Sequence, residues 1–171
     1  NGQEESEQNT RAYVSEEIIE KEPFPGTKAL SKAPSLELVS RPATQNPSGG
    51  ESLREILPES YNWHYYNEKG KMGLALRGTN LLSHSEQAEK ISAAALSLSW
   101  PVMPDDIAVS RYSFEAASNK EQGAEEEKTY KDNSLVELEP DKLYVITAEW
   151  KRERLEERGF YGDASYVIVT K

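Results

Sequence analysis

Apolar and polar residues alternate with a period of two over much of the second half of the chain. The clearest run places Ala94, Leu96, Leu98 and Trp100 on one side and small residues on the other. A period of two is typical of a half-buried β-strand, because successive side chains of a strand point to opposite faces. This part of the chain is therefore predicted to be β-structure.

Similar patterns, separated by turn signals, predict further strands. These strands cover residues 36–39, 61–66, 107–114, 134–138, 143–150 and 164–170, with a returning hairpin arm at 72–76. The remaining stretches are predicted to be a short amphipathic turn at 51–57, a loop or helical turn at 78–89 and a polar loop at 119–128. Short strands with little helix favour an all-β sandwich or barrel over βαβ units.

Residues 1–34 differ in composition from the rest of the chain. They contain many Glu, few large apolar residues and three Pro. Such a segment buries too little apolar surface to offset the entropy lost on ordering it. We therefore predict a disordered acidic tether over 1–34 and one β-domain over 35–171. Because the first residue is Asn1 and not Met, we expect that a signal segment has been removed.

The charge and the absence of Cys narrow the chemistry. A formal net charge of −10 argues against nucleic acid or an anionic membrane as the main partner. The chain has no Cys, which excludes disulfides, zinc–thiolate sites and cysteine nucleophiles. No stretch approaches the length of a membrane span.

Residues 96–101 read Leu-Ser-Leu-Ser-Trp-Pro, and Leu138-Glu139-Pro140 precedes Tyr144 at the start of an alternating strand. Together with the strand at 107–114, these stretches resemble the second and third strands, and the corner before the sixth, of the fibronectin type III and immunoglobulin-like superfamily. In that family, a tyrosine hydroxyl bonds back to the backbone at this corner. The resemblance implies an antiparallel immunoglobulin-like β-sandwich. The extra length before the Trp strand implies an added N-terminal hairpin that carries residues 61–66.

The same corner predicts which large side chains meet in the core. Tyr144 is expected to pack with Leu98, Trp100, Tyr112 and Trp150 in one cluster between two sheets. Its ring would fill the core while its hydroxyl satisfies an unpaired backbone group.

A polar tether followed by a small β-domain is also similar to secreted lipoproteins of Gram-positive bacteria. That resemblance implies an extracellular protein anchored at the cell envelope, with membrane contact only through a lipid anchor upstream of Asn1. In this setting we expect a monomer that binds a protein or a cell-wall glycan, and no nucleic acid.

The aromatic strand at 61–66 is the first candidate binding surface. Its alternation puts Tyr61, Trp63 and Tyr65 on one face, and the opposite face carries Asn62, His64 and Tyr66. Aromatic rings beside polar groups suit both sugars and proteins as ligands. Core packing is the competing interpretation for one of the two faces. We take Tyr61, His64 and Tyr66 as the candidate residues.

The charge run at 151–158 is the second candidate. It is the one basic cluster of an acidic chain and falls between the last two predicted strands. Loops at the ends of sheets often carry binding residues, although mixed charge runs are often simply solvated. The candidate residues are Arg152, Arg154 and Arg158.

No pattern in the sequence indicates catalysis, a cofactor or a metal. His64 and His84 lack the spacing of paired metal ligands. The acidic loops at 105–106 and 132–133 do not match a calcium-binding pattern, and no nucleophile elbow or phosphate loop is present. We therefore expect a non-enzymatic extracytoplasmic binding domain. The alternative is a small inhibitor or regulator of an enzyme, such as a protease, acting through residues 151–158.

Overall fold

The computed structural model describes residues 30–40, 51–84, 90–118, 122–131 and 135–171. These residues form β-strands joined by short helical turns. The strands are β1 (Leu36–Ser40), β2 (Glu51–Ile56), β3 (Ser60–Tyr66), β4 (Met72–Arg77), β5 (Lys90–Ile91), β6 (Ala95–Ser99), β7 (Asp106–Ser113), β8 (Glu126–Tyr130), β9 (Leu135–Glu137), β10 (Lys142–Trp150) and β11 (Phe160–Thr170). The helical elements are 3-10 turns at Leu81–His84 and Arg152–Arg154, and the helices α1 (Phe114–Ser118) and α2 (Leu155–Arg158).

The strands form two sheets. The smaller sheet has the order β2-β1-β6-β9, and the larger has the order β4-β3-β11-β10-β7-β8. All these pairs are antiparallel, and β5 adds a short parallel pair with β11. The predicted all-β fold is confirmed, and the predicted antiparallel pairing holds for all of these pairs except β5–β11.

Both sheets contribute to one buried cluster. Leu38 and Leu98 come from the smaller sheet, and Ile146, Ala148 and Trp150 come from one face of β10. The shared face predicted for 96–100 and 144–150 is confirmed, because its large residues all belong to this cluster. The first half of β10 is also buried on its other face, where Leu143 and Val145 form a second cluster. The first cluster joins the sheets into a common core.

Three Trp form a chain of ring contacts through this core. Trp63 meets Trp150 edge to face, with ring centroids 5.2 Å apart, and stacks on Phe160 at 5.1 Å. Trp100 contacts Trp150 at 6.1 Å and Tyr166 at 6.0 Å. Offset and edge-to-face pairs of this kind add to the energy of burial. The inward orientation predicted for one face of the aromatic strand holds for Trp63, which is fully buried.

Residues 30–34 belong to the folded part of the chain. The Trp63 indole donates to the Leu30 carbonyl at 3.0 Å, and the Tyr166 hydroxyl donates to the Pro34 carbonyl at 2.7 Å. Ala33 is also buried. This corrects the predicted extent of the tether, whose other residues, 1–29, lie outside the described chain.

Four further expectations need correction. Residues 51–57 were expected to form an amphipathic turn, but Glu51–Ile56 is a strand that pairs with β1. Glu126–Tyr130 pairs with β7 as an edge strand, within a region expected to be mostly loop. Phe160 begins the last strand, four residues earlier than expected. Tyr112 was expected in the core beside Tyr144, but it packs with Leu143 and Val169 on the other face of the larger sheet. The alternate residues of β7, Ile107 and Val109, are the ones that point into the shared core.

The corner at Tyr144 has the predicted hydrogen bond. The Tyr144 hydroxyl accepts from the backbone N–H of Glu139 at 2.7 Å, while the ring is buried. The hydroxyl thus satisfies a backbone donor five residues upstream, between β9 and β10. This contact ties the end of the smaller sheet to the larger one.

Replacing Tyr144 with Phe should lower the free energy of unfolding by about 1 kcal/mol, because the Glu139 N–H loses its partner while the ring stays in place. Urea denaturation followed by tryptophan fluorescence measures this change. Tyr112→Phe is the matched control, since no hydrogen bond of its hydroxyl is seen within the described chain. An equal loss in both variants would contradict a specific role for the Tyr144 hydroxyl.

Candidate binding surface

The register of three neighbouring strands sets side chains in rows on the outer face of the larger sheet. Leu74 of β4 lies opposite His64 of β3, and His64 lies opposite Tyr161 of β11. One step along, Met72 lies opposite Tyr66. Since directly opposite residues on neighbouring strands share a face, these side chains form one continuous surface. We call Met72, Leu74, Leu76, His64, Tyr66, Tyr161 and Arg152 the platform.

The centre of the platform is a stack of two rings. The imidazole of His64 and the phenol of Tyr161 are parallel within 1°, with centroids 4.4 Å apart. The guanidinium of Arg152 lies 5.6 Å from the Tyr161 ring centroid, within the range of a cation–π contact. The stack brings together a residue from the aromatic strand and a residue from the charge run, which the sequence suggested separately.

Tyr66 makes a second link between the same two segments. Its hydroxyl donates to Oε2 of Glu156 at 2.8 Å. Burial, together with the hydrogen bond to the Glu156 carboxylate and its charge, raises the pKa of Tyr66 to about 12. The phenol therefore stays protonated at neutral pH and acts as a donor that fixes α2 against β3.

A stripe of exposed apolar side chains borders this stack. Met72, Leu74 and Leu76 are 46%, 56% and 62% exposed. The alternate residue Ala75 packs toward the core, and a side chain at Gly73 would overlap the Tyr65 ring. The small residues of β4 thus allow close packing beneath the strand, and its large residues face outward.

The loop that carries Arg152 is held by a buried ion pair. Both Nη atoms of Arg158 donate to the Asp105 carboxylate, at 2.7 and 3.2 Å, and the Arg158 side chain is only 6% exposed. Arg154 Nη1 and the backbone N–H of Lys151 donate to the same carboxylate at 2.8 and 2.7 Å. We call this arrangement the Asp105 latch.

The latch changes the expected roles of two candidates. Arg158 is buried, so it supports the loop and does not lie on its surface. Arg154 is half exposed but is engaged by Asp105 and Glu157. Of the three predicted arginines, Arg152 is the one that joins the platform. Burial raises the pKa of Asp105, but the hydrogen bonds from Arg158, Lys151 and Arg154 outweigh this effect and lower it to about 2.

Tyr61 lies apart from the platform. It packs partly against the core on the inner side of β3 and lines a groove of about 310 Å³ with Leu30, Pro34, Leu57 and Arg77. Therefore His64 and Tyr66 meet Arg152 on one surface, whereas Tyr61 belongs to a different one.

The residues considered as metal ligands do not form a metal site within the described chain. Asp105, considered as a calcium ligand, is engaged by Arg158 and Arg154. Residues 132–133 and the His84 side chain lie outside the described chain. In the described ranges, no three His, Asp or Glu side chains are grouped so that they could hold a metal. None of the helices in those ranges has the length and apolar character needed to cross a membrane.

Two parts of the platform were not singled out from the sequence. Tyr161 was placed in a loop before the last strand, and the large–small alternation of Met72 to Leu76 was taken only as a hairpin arm. That alternation is a signal that large residues share a face. It does not tell whether the face is buried or exposed.

Comparison with protein-family models, with curated proteins and with solved structures found no match to this chain.

Proposed function

We propose that this protein is a non-enzymatic binding domain whose platform holds a protein partner. One observation carries the proposal: three exposed apolar residues of β4 lie in register beside the His64–Tyr161 stack. Contiguous exposed apolar surface beside polar groups is typical of interaction sites. Aromatic residues, Met and Arg are the residue types enriched in protein interfaces, and the platform contains all of these.

A protein suits this surface better than a glycan. Sugars stack on open aromatic faces, whereas one face of the Tyr161 ring is already covered by His64. The adjoining stripe is aliphatic and thioether in character, which favours apolar side chains of a partner. A cell-wall glycan is therefore the other outcome of the test.

We also propose a cellular location for the protein and a more specific type of β-sandwich. The buried Trp100 and the Tyr144 corner support an immunoglobulin-like β-sandwich with an added β3–β4 hairpin. The acidic composition of residues 1–29 supports a tether that holds the domain outside the cytoplasm at the cell envelope.

Retention on fractionated cell envelope tests the function. We expect the immobilised 171-residue chain to retain an envelope protein, and the combined Leu74→Asp and Tyr161→Ala variant to retain at least about tenfold less, because central aromatic and apolar contacts dominate binding energies. Leu135→Asp is the matched control, since Leu135 is 50% exposed on another strand.

Two results would contradict the proposal. Equal retention by the wild type and the platform variant would show that the platform is not the binding surface. Retention by wall glycan freed of protein, lost in the platform variant, would replace the protein partner with a glycan.

A further inference from the structure

The two edges of the larger sheet differ in a way that indicates how a partner binds. The β8 edge carries Glu126, Glu127 and Lys128 in succession, all of them exposed. Charged side chains are a common device that prevents another chain from pairing with an edge strand. The β4 edge has the sequence Met-Gly-Leu-Ala-Leu-Arg, with no charge before its last residue. β4 itself therefore lacks the charged residues that protect the β8 edge.

Two hydrogen bonds near the β3–β4 turn identify the backbone groups that face outward from β4. The N–H of Asn67 donates to the Lys71 carbonyl at 2.8 Å, so the backbone groups of Lys71 face β3. The N–H of the preceding residue, Tyr66, points to the other side of β3 and donates to the Gly159 carbonyl at 2.8 Å. Hydrogen-bonded and non-hydrogen-bonded pairs alternate along an antiparallel ladder. Residues 73, 75 and 77 therefore bond β3, and the backbone groups of Met72, Leu74 and Leu76 point away from it. Within the described chain, no strand pairs with this side of β4.

The residues with outward backbone groups are the same three whose side chains are exposed. A strand added to β4 would gain main-chain hydrogen bonds at three positions. Its alternate side chains would pack beside the Met72, Leu74 and Leu76 side chains. Main-chain bonds that supply affinity and alternate side chains that supply specificity are the two parts of strand addition as a binding mode.

The charges at the ends of β4 select the occupant. Lys71 precedes the strand and Arg77 ends it. If a second copy of this chain paired antiparallel so that all three apolar residues faced one another, the pairing would centre on Leu74. That register places Lys71 opposite Arg77 of the other copy, and like charges directly opposite one another are destabilising. Acidic residues at the same positions of a different chain would be favourable.

We propose that β4 binds an extended segment of a protein partner by strand addition, and that this segment has alternating apolar residues flanked by acidic ones. The inference rests on the proposed function and specifies the partner segment that the platform accepts. His64 and Tyr161 continue the apolar surface inward from the added strand.

Synthetic peptides test the strand addition. The probe is a fluorescein-labelled nonapeptide, Glu-Glu-Val-Thr-Val-Thr-Val-Glu-Glu, whose three Val can lie opposite Met72, Leu74 and Leu76 with a Glu beyond each end of that core. Its counterpart carries Lys in place of Glu. By fluorescence anisotropy, we expect the Glu-flanked peptide to bind the wild-type chain at least about tenfold more tightly, with a difference that shrinks at high salt. Equal affinity of the two peptides would overturn the proposed charge selection.

N-methylation distinguishes strand addition from contact through side chains alone. Peptides methylated at every second backbone amide are made in two phases, in which the methylated positions differ by one residue. In one phase the methyl groups block the N–H groups that face β4, and in the other phase they lie on the opposite edge of the peptide. We expect one phase to abolish binding and the other to retain it. If both phases bind like the parent peptide, the main chain takes no part and the proposal fails.

Single substitutions test the contact at Leu74, and sedimentation velocity tests whether the occupant of β4 is a second copy of the chain. Leu74→Asp should reduce peptide affinity by at least about tenfold through loss of an apolar contact and repulsion of the acidic flanks, and Leu135→Asp should leave it unchanged. Envelope retention that depends on the platform without any peptide binding would refute strand addition and leave the proposed function standing. A dimer of the wild-type chain that dissociates in Leu74→Asp would overturn the proposal in favour of a second copy.

Discussion

Replacing Asp105 with Ala should lower the free energy of unfolding by about 3–5 kcal/mol, because it leaves the buried guanidinium of Arg158 without its counter-charge. Arg158 donates both Nη groups to this carboxylate, and its remaining partner is the Met103 carbonyl at 3.3 Å. The same substitution removes the acceptor for the Lys151 N–H and for Arg154. Urea denaturation measures the loss.

Asp106→Ala is the matched control for this substitution. Asp106 is the next residue, is half exposed, and reaches Lys151 only at 3.8 Å. Exposed ion pairs of this kind contribute about 0–1 kcal/mol. A similar loss in both variants would show that the Asp105 latch is not a buried charge pair. In the double variant Asp105→Leu and Arg158→Leu, part of the loss should be recovered, because no unpaired charge remains.

The latch also gives the stability of the domain a defined dependence on pH. Hydrogen bonds from its partners overcome the effect of burial and lower the folded-state pKa of Asp105 from 3.8 to about 2. Since the folded-state value lies below the unfolded one, the contribution is complete above about pH 4 and is lost as the pH falls toward 2. Asp105→Ala should therefore be less sensitive than the wild type to acid in this range.

Tyr166→Phe should be the second most costly of the substitutions considered, at about 2–4 kcal/mol, because it leaves two buried polar groups without partners. The Tyr166 hydroxyl accepts from the Trp100 indole at 3.1 Å and donates to the Pro34 carbonyl at 2.7 Å. Tyr166 is fully buried, and burial raises the pKa of its hydroxyl. The ring remains in the variant, so the loss reports the hydroxyl alone.

Chemical denaturation and limited trypsin digestion together measure this effect. The Pro34 bond, like that from Trp63 to Leu30, holds residues 30–34 to the core, so cleavage after Lys32 should become faster in the Tyr166 variant. Tyr144→Phe, which removes a single acceptor, should be less destabilised. A Tyr166→Phe variant as stable as the wild type would contradict the assigned network.

The parts of the fold that the sequence predicted are the strands whose large residues recur at every second position. In β6 and β10 the large residues at alternate positions pack in the shared core, and the Tyr144 corner has its own local pattern. β2 and β8 were not predicted as strands, because both are edge strands rich in charged residues and their composition resembles that of turns and loops. Tyr112 was assigned to the wrong face because period two gives the spacing of a face and not its direction.

The platform could be predicted only in pieces. His64, Tyr66 and Arg152 were suggested by residue type, but what brings them together is the pairing of β11 with β3, a register between segments about a hundred residues apart. The Asp105 latch likewise joins the residue that precedes β7 to α2, across a sequence separation of 53 residues. No pattern of neighbouring residues in the sequence indicates either contact. Exposure of the β4 stripe depends on which strand ends the sheet, which only the assembled topology reveals.

Amide hydrogen exchange along β4 tests the open binding edge most directly. In the free 171-residue chain, we expect the amides of Met72, Leu74 and Leu76 to exchange rapidly, whereas those of residues 73, 75 and 77 are protected by β3. With saturating Glu-flanked peptide, the three fast amides should become protected and that of Leu135 should not change. Protection of all six β4 amides in the free chain, or no change on adding peptide, would contradict the account.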